Sequence, residues 1–200
     1  TIRKPISEEE QSVTNLENND AMTPGLTTLS PEGEEHVSSQ VETVFGDDGN
    51  DTITGFLTGD EPGSTLFGNS GNDYIRSRGI GDRVFGGRGD DTIVNDNGRA
   101  LIYGDRGNDY LLAEDSNTTL FGGIFVVPGT REESAEDGNN ILVSQGGKNI
   151  LVGGGGNDDL VGEEGEDTIA GGARDDTLKG GPNGASYLFG NEGKDKLISN

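Results

Sequence analysis

Residues 144–179 read SQGGKNILV, GGGGNDDLV, GEEGEDTIA, GGARDDTLK. Each nine-residue word opens on a polar or glycine-rich run, carries an acid or amide in sixth place and an aliphatic residue in eighth. Upstream stands AEDGNNILV at 135–143; downstream follow a ten-residue copy at 180–189 and GNEGKDKLI at 190–198. In the first half the strong copies return every 18 residues, as GNSGNDYIR (68–76), GGRGDDTIV (86–94) and GDRGNDYLL (104–112). Weaker copies fill the gaps: SRGIGDRVF (77–85), NDNGRALIY (95–103) and AEDSNTTLF (113–121), with GDDGNDTIT (46–54) leading the series. Segments 55–67 and 122–134 are each 13 residues long and are read as one repeat carrying a four-residue bulge. A short fixed period of this kind marks a stacked repeat architecture.

The eighth position confirms the phase. From Ile53 and Leu66 through Leu188 and Leu197 it holds only Leu, Ile or Val. In a chain with 36 glycines and only 28% hydrophobic residues, such regularity predicts one inward-pointing side chain on each short strand. Glycine at the turns tolerates left-handed backbone and lets carbonyl groups approach one another.

The pattern G-G-x-G-x-D-x-U-x, with U a large aliphatic, resembles the calcium-binding nonapeptide repeat of RTX (haemolysin-type) proteins over about three quarters of the chain. The resemblance implies an all-β fold: a right-handed parallel β-roll, or β-solenoid, with two repeats per turn. It also implies calcium ions between loops on one edge, 18 residues apart. Calcium takes six to eight oxygen ligands, which a carboxylate and several carbonyls from two loops can supply.

Position six carries the side-chain ligand in that family. Here it implies Asp51, Asp73, Asp82, Asp91, Asp109, Asn140, Asn149, Asp158, Asp167, Asp176 and Asp195 as metal ligands. Counting half-turns puts Asp51, Asp73, Asp91, Asp109, Asn149 and Asp167 on one edge. It puts Asp82, Ala100, Thr118, Asn140, Asp158, Asp176 and Asp195 on the other. The expected load is about five to seven calcium ions. Arg174 stands where a fourth-position glycine is expected, and Asn140 and Asn149 offer neutral oxygens.

The charge excludes other classes. A formal net charge of -23, from 37 acidic and 14 basic residues, argues against nucleic acid and anionic lipid as partners and for cations. There is no Cys, hence no thiolate site and no disulfide. No apolar run approaches the length of a membrane span, so no membrane insertion is expected. Residues 1–45, acidic and with only Gly25 and Gly33 as glycines, are read as a flexible arm or a cap on the first turn; residues 46–200 are the roll.

The function expected is calcium binding and calcium-induced folding of a non-catalytic module of a secreted or cell-surface bacterial protein. The alternatives are an intracellular, cytoplasmic calcium buffer or sensor, or the non-catalytic part of a larger RTX hydrolase. The single histidine, His36, rules out H-E-x-x-H, and no G-x-S-x-G is present. Phe67, Phe85, Tyr103 and Phe121 recur every 18 residues at position nine, next to the inward aliphatic, and should form a ladder on the outside of one sheet. That ladder is either a stack that stiffens the sheet or a surface for a protein partner, self-association or the arm. Ile124 to Val127 could also fold over it.

Overall fold

The computed structural model describes residues 26–28, 43–55, 63–96, 98–114, 117–123, 137–182 and 185–199. The described residues contain strands and turns and no helix. The first eight strands are β1 (Leu26–Thr28), β2 (Thr43–Phe45), β3 (Thr52–Thr54), β4 (Thr65–Ser70), β5 (Tyr74–Ser77), β6 (Asp82–Arg88), β7 (Thr92–Asn95) and β8 (Ala100–Arg106). Then come β9 (Tyr110–Ala113), β10 (Thr119–Gly123), β11 (Ile141–Ser144), β12 (Ile150–Gly154), β13 (Asp159–Gly162), β14 (Thr168–Ala173), β15 (Thr177–Lys179), β16 (Tyr187–Glu192) and β17 (Lys196–Ile198).

These strands alternate between two parallel sheets. One runs β1-β2-β4-β6-β8-β10-β12-β14-β16, the other β3-β5-β7-β9-β11-β13-β15-β17. Two nine-residue repeats therefore make one turn, as the period predicts, and the fold is an all-β parallel solenoid. Registers place like repeat positions side by side: Ile75 opposite Ile93, Ile93 opposite Leu111, Leu111 opposite Leu142.

The eighth-position residues are the core. Ile53, Leu66, Ile75, Leu111, Leu142 and Leu178 are among those with no exposed surface, and each contributes about 1.5–3 kcal/mol by burial. The core begins one strand before the first glycine-rich repeat, at Val44 on β2, and β1 adds a further strand beyond it. At the far end Leu188 is half-buried and Leu197 is 48% exposed.

The sorting of repeats onto edges differs from the one counted along the sequence. β8, β10 and β12 are direct neighbours in one sheet, and β9, β11 and β13 in the other, so no further strand comes between them in either sheet. The turn from β10 to β11 starts at Gly122-Gly123 and resumes at Asp137-Gly138-Asn139-Asn140, which together spell one ordinary repeat opening. Residues 124–136, including Ile124 to Val127, lie outside the described residues, as does His36. Everything after this turn accordingly changes edge.

Candidate metal-binding edges

The turns leading into the second sheet bring Asp51, Asp73, Asp91, Asp109, Asn140, Asp158, Asp176 and Asp195 onto one edge, here the first edge. Asp82, Ala100, Thr118, Asn149 and Asp167 fall on the second edge, with Ser64 and Ser186 at equivalent places. The first edge is thus acidic along its length except at Asn140.

A one-way hydrogen-bond ladder orients the sixth-position side chains. The N–H of Asp51 donates to Oδ1 of Asp73, that of Asp73 to Asp91 and that of Asp91 to Asp109, each at 2.8 Å. The series continues from Asp109 to Asn140, Asn140 to Asp158, Asp158 to Asp176 and Asp176 to Asp195. A second ladder runs the opposite way at position five, where the N–H of Asn72 donates back to Oδ1 of Asn50 and the same bond recurs through Asp90, Asn108, Asn139, Asn157 and Asp175. Sequence reasoning missed it, although Asn or Asp at position five is visible in every one of these repeats.

With Oδ1 committed to the ladder, Oδ2 faces the glycine that opens its own repeat. Oδ2 of Asp73, Asp91, Asp109, Asp158 and Asp176 on the first edge, and of Asp167 on the second, is buried with no hydrogen-bond partner. Asp51, at the start of the column, has the reverse arrangement: Oδ2 accepts from the N–H of Asp47 at 2.8 Å and Oδ1 is left over. A Cβ added at Gly86 would meet Oδ2 of Asp91 and the carbonyl oxygen of Gly104, the latter at 2.6 Å. The same pair of oxygens surrounds Gly46, Gly68, Gly104 and Gly153. Each of these cells is a gap walled by a carboxylate oxygen of one loop and a carbonyl oxygen of the next.

A buried carboxylate oxygen that has no donor and stands beside a carbonyl oxygen is costly unless a cation lies between them. The carboxyl groups register the cost. Burial, reinforced by neighbouring carboxylates, raises Asp91 to about 8 and Asp109 and Asp158 to about 7. Burial likewise raises Asp73 and Asp176 to about 6, and lifts Asp51 and Asp167 above the ordinary carboxylate value. The donor set, hard oxygen only, suits calcium. Among the described residues no three acidic or His side chains converge on one point, so any ion held here draws mostly on backbone carbonyls.

Four of the expected ligands look different. Asp82 accepts from the N–H of Ser64 at Oδ1, at 2.7 Å, and from the Ser77 hydroxyl and the Gly79 N–H at Oδ2, both at 2.8 Å. Its repeat opens on Ser77 where the first edge has glycine, and the hydroxyl supplies the donor. Asn149 takes the N–H of Thr118 at Oδ1 and turns Nδ2 to the carbonyl of Gly146 at 2.6 Å. Asn140 is engaged on both sides as well. Asp195 is half-exposed at the end of the column.

Two further half-buried carboxyls escaped sequence reasoning. Asp137, in third position, accepts from the N–H of Gly155 at 2.7 Å, and burial raises it. Asp105, in second position, is raised by burial and by Asp137, and holds a left-handed φ of 72°. Arg174, in its glycine position, has φ 81°.

The family model of the RTX calcium-binding nonapeptide repeat (4 copies) matches residues 38–57, 63–93, 79–111, 94–125, 134–169 and 171–200. The chain belongs to the RTX calcium-binding repeat family. No curated protein and no solved structure matches the chain at a significant level. As an RTX protein the chain is a calcium-binding β-roll. Its matched segments take in both edges and β2, and leave out most of the turn insertion at 124–136.

The aromatic ladder is present and longer than expected. Phe45, Phe67, Phe85, Tyr103 and Phe121 stack in near-parallel planes with centroids 4.8–5.1 Å apart. All five rings are half-buried on the outer face of the first sheet. Among the described residues no helix is long and apolar enough to cross a membrane.

Proposed function

We propose that this RTX roll folds when it binds calcium, takes up about six ions, and performs no catalysis of its own. The observation that carries this reading is the repeated cell in which a buried carboxylate oxygen with no hydrogen-bond partner lies beside a backbone carbonyl oxygen of the next loop. Bound calcium would supply the positive charge and the high oxygen coordination that such a cell lacks.

The chain's part is to aim oxygens. Asp73, Asp91, Asp109, Asp158 and Asp176 on the first edge and Asp167 on the second would each give Oδ2, fixed because Oδ1 is held by a backbone N–H. Asp51 would add its one remaining oxygen, and Asp195 would close the last cell. Asp82, whose two oxygens already have donors, is a structural residue in this reading.

With about one carboxylate for each ion, affinity should be weak, in the range of about 10⁻⁴ to 10⁻³ M that suits extracellular modules. That favours a secreted or cell-surface protein over an intracellular buffer. For the aromatic column we take stacking itself as the role, since each interior ring has a neighbour on both faces.

Equilibrium dialysis against millimolar calcium tests the ion count. About six ions per chain are expected, and none or one would contradict the reading.

A further inference from the structure

Asn140 sits in the middle of the first edge, between Asp109 and Asp158, at a place where every neighbouring loop has aspartate. In the neighbouring cells a Cβ added at the opening glycine would meet a carboxylate Oδ2 and a carbonyl oxygen. At Gly122 it would instead meet Nδ2 of Asn140 at 2.7 Å and the carbonyl oxygen of Gly153 at 2.5 Å. An amide nitrogen therefore occupies the place of the carboxylate oxygen.

The orientation of that amide is fixed by its other end. Oδ1 accepts the N–H of Asp109 at 2.8 Å, and the reversed amide would set two donors against each other. Nδ2 consequently points into the cell, toward the carbonyl oxygens of Gly138 at 3.3 Å and Gly153 at 3.5 Å. Two carbonyl oxygens face a nitrogen with two hydrogens. In the cells of Asp73, Asp91, Asp109, Asp158 and Asp176 the equivalent place holds a carboxylate oxygen without a hydrogen-bond partner.

We infer that the Asn140 amide closes this cell in place of an ion, so that the first edge carries two separate runs of calcium sites, Asp51 to Asp109 and Asp158 to Asp195. This rests on the calcium reading above and refines it. An amide N–H can satisfy a carbonyl that a carboxylate cannot, and it does so without adding charge to an already acidic column. The break falls in the turn that carries the insertion at 124–136. Asp137 flanks the cell beside Gly123 and Gly155, and its Oδ2 accepts the Gly155 N–H.

The test is the number of calcium ions bound by the full chain, counted by native mass spectrometry and equilibrium dialysis for the wild type, Asn140→Asp, Asn140→Ala and Asp137→Asn. Asn140→Asp should bind one more ion than the wild type, because it restores the oxygen pair. Asn140→Ala and Asp137→Asn should bind the wild-type number. If Asn140→Asp does not fold, Asn140→Ala in saturating calcium still decides: loss of one ion would make Asn140 a ligand and overturn the inference. Loss of one ion in Asp137→Asn would overturn it too, by showing that the cell holds an ion through that carboxyl. A folded Asn140→Asp with the wild-type count would do the same. A wild type that binds no calcium at all would instead defeat the calcium reading itself.

Discussion

The backbone N–H of Asp109 donates to Oδ1 of Asn140 at 2.8 Å across 31 residues, where the bonds on either side of it in the column span 18. The ladder thus passes the insertion without a gap. Deleting 124–136 would join Gly123 to Asp137 and write one regular repeat, GGDGNNILV. The shortened protein should bind as many ions as the wild type and be more stable in calcium by about 1 kcal/mol, from the lower cost of closing a shorter loop. Denaturant melts of the two proteins check this; failure of the deletion to fold would show that 122–134 makes a half-turn of its own.

Asp91 and Asp82 are both buried sixth-position aspartates, and they should respond differently to removal. Asp91→Ala should lower the bound calcium by at least one ion, since it removes an unpartnered Oδ2 and the acceptor of the Asp73 N–H. Asp82→Ala should leave the ion count unchanged and cost about 1–3 kcal/mol by stranding buried donors of the second edge. Equal ion loss in both would refute the assignment of Asp82 as structural.

The first-edge carboxyls are raised in the calcium-free fold, to between about 6 and about 8 in the five that shift most. The folded chain therefore holds protons that the unfolded chain releases near pH 4, and the calcium-free fold loses stability as pH rises from about 4 to about 8. In chelator, strand content should be higher at pH 5 than at pH 8, and calcium affinity should fall from pH 8 to pH 6 as protons compete. Circular dichroism at fixed ionic strength reads the first effect. More strand at pH 8 than at pH 5 in chelator would run against it.

Phe85 has stacked neighbours on both sides, Phe67 and Tyr103, whereas Phe189 on the same face is 51% exposed. Phe85→Ala should destabilise the calcium-loaded roll by about 1–3 kcal/mol through two lost ring pairs, and Phe189→Ala by much less. Urea denaturation in saturating calcium compares them.

The core was legible because it is local: in a three- or four-residue strand, alternation alone puts Ile53, Ile75 and Leu111 inside. The edges were not, because assigning them means counting half-turns through 122–134. The correcting signal lay at position five, where Asn139, Asn157 and Asp175 continue the series Asn50, Asn72, Asp90 and Asn108. Which aspartates keep an unpartnered oxygen was half legible. Asp167 and Asp91 belong to repeats opening on glycine, while that of Asp82 opens on Ser77, whose hydroxyl reaches the carboxylate. The strand at Thr43–Phe45 was missed because it supplies positions seven to nine of a repeat without the glycine turn before them.

Far-UV circular dichroism during a calcium titration from excess chelator is the most direct test of calcium-coupled folding. At neutral pH the chelated chain, with its charge of -23, should lack strand signal and gain it cooperatively as calcium rises toward the millimolar range. A full strand spectrum in chelator, unchanged by calcium, would contradict the account.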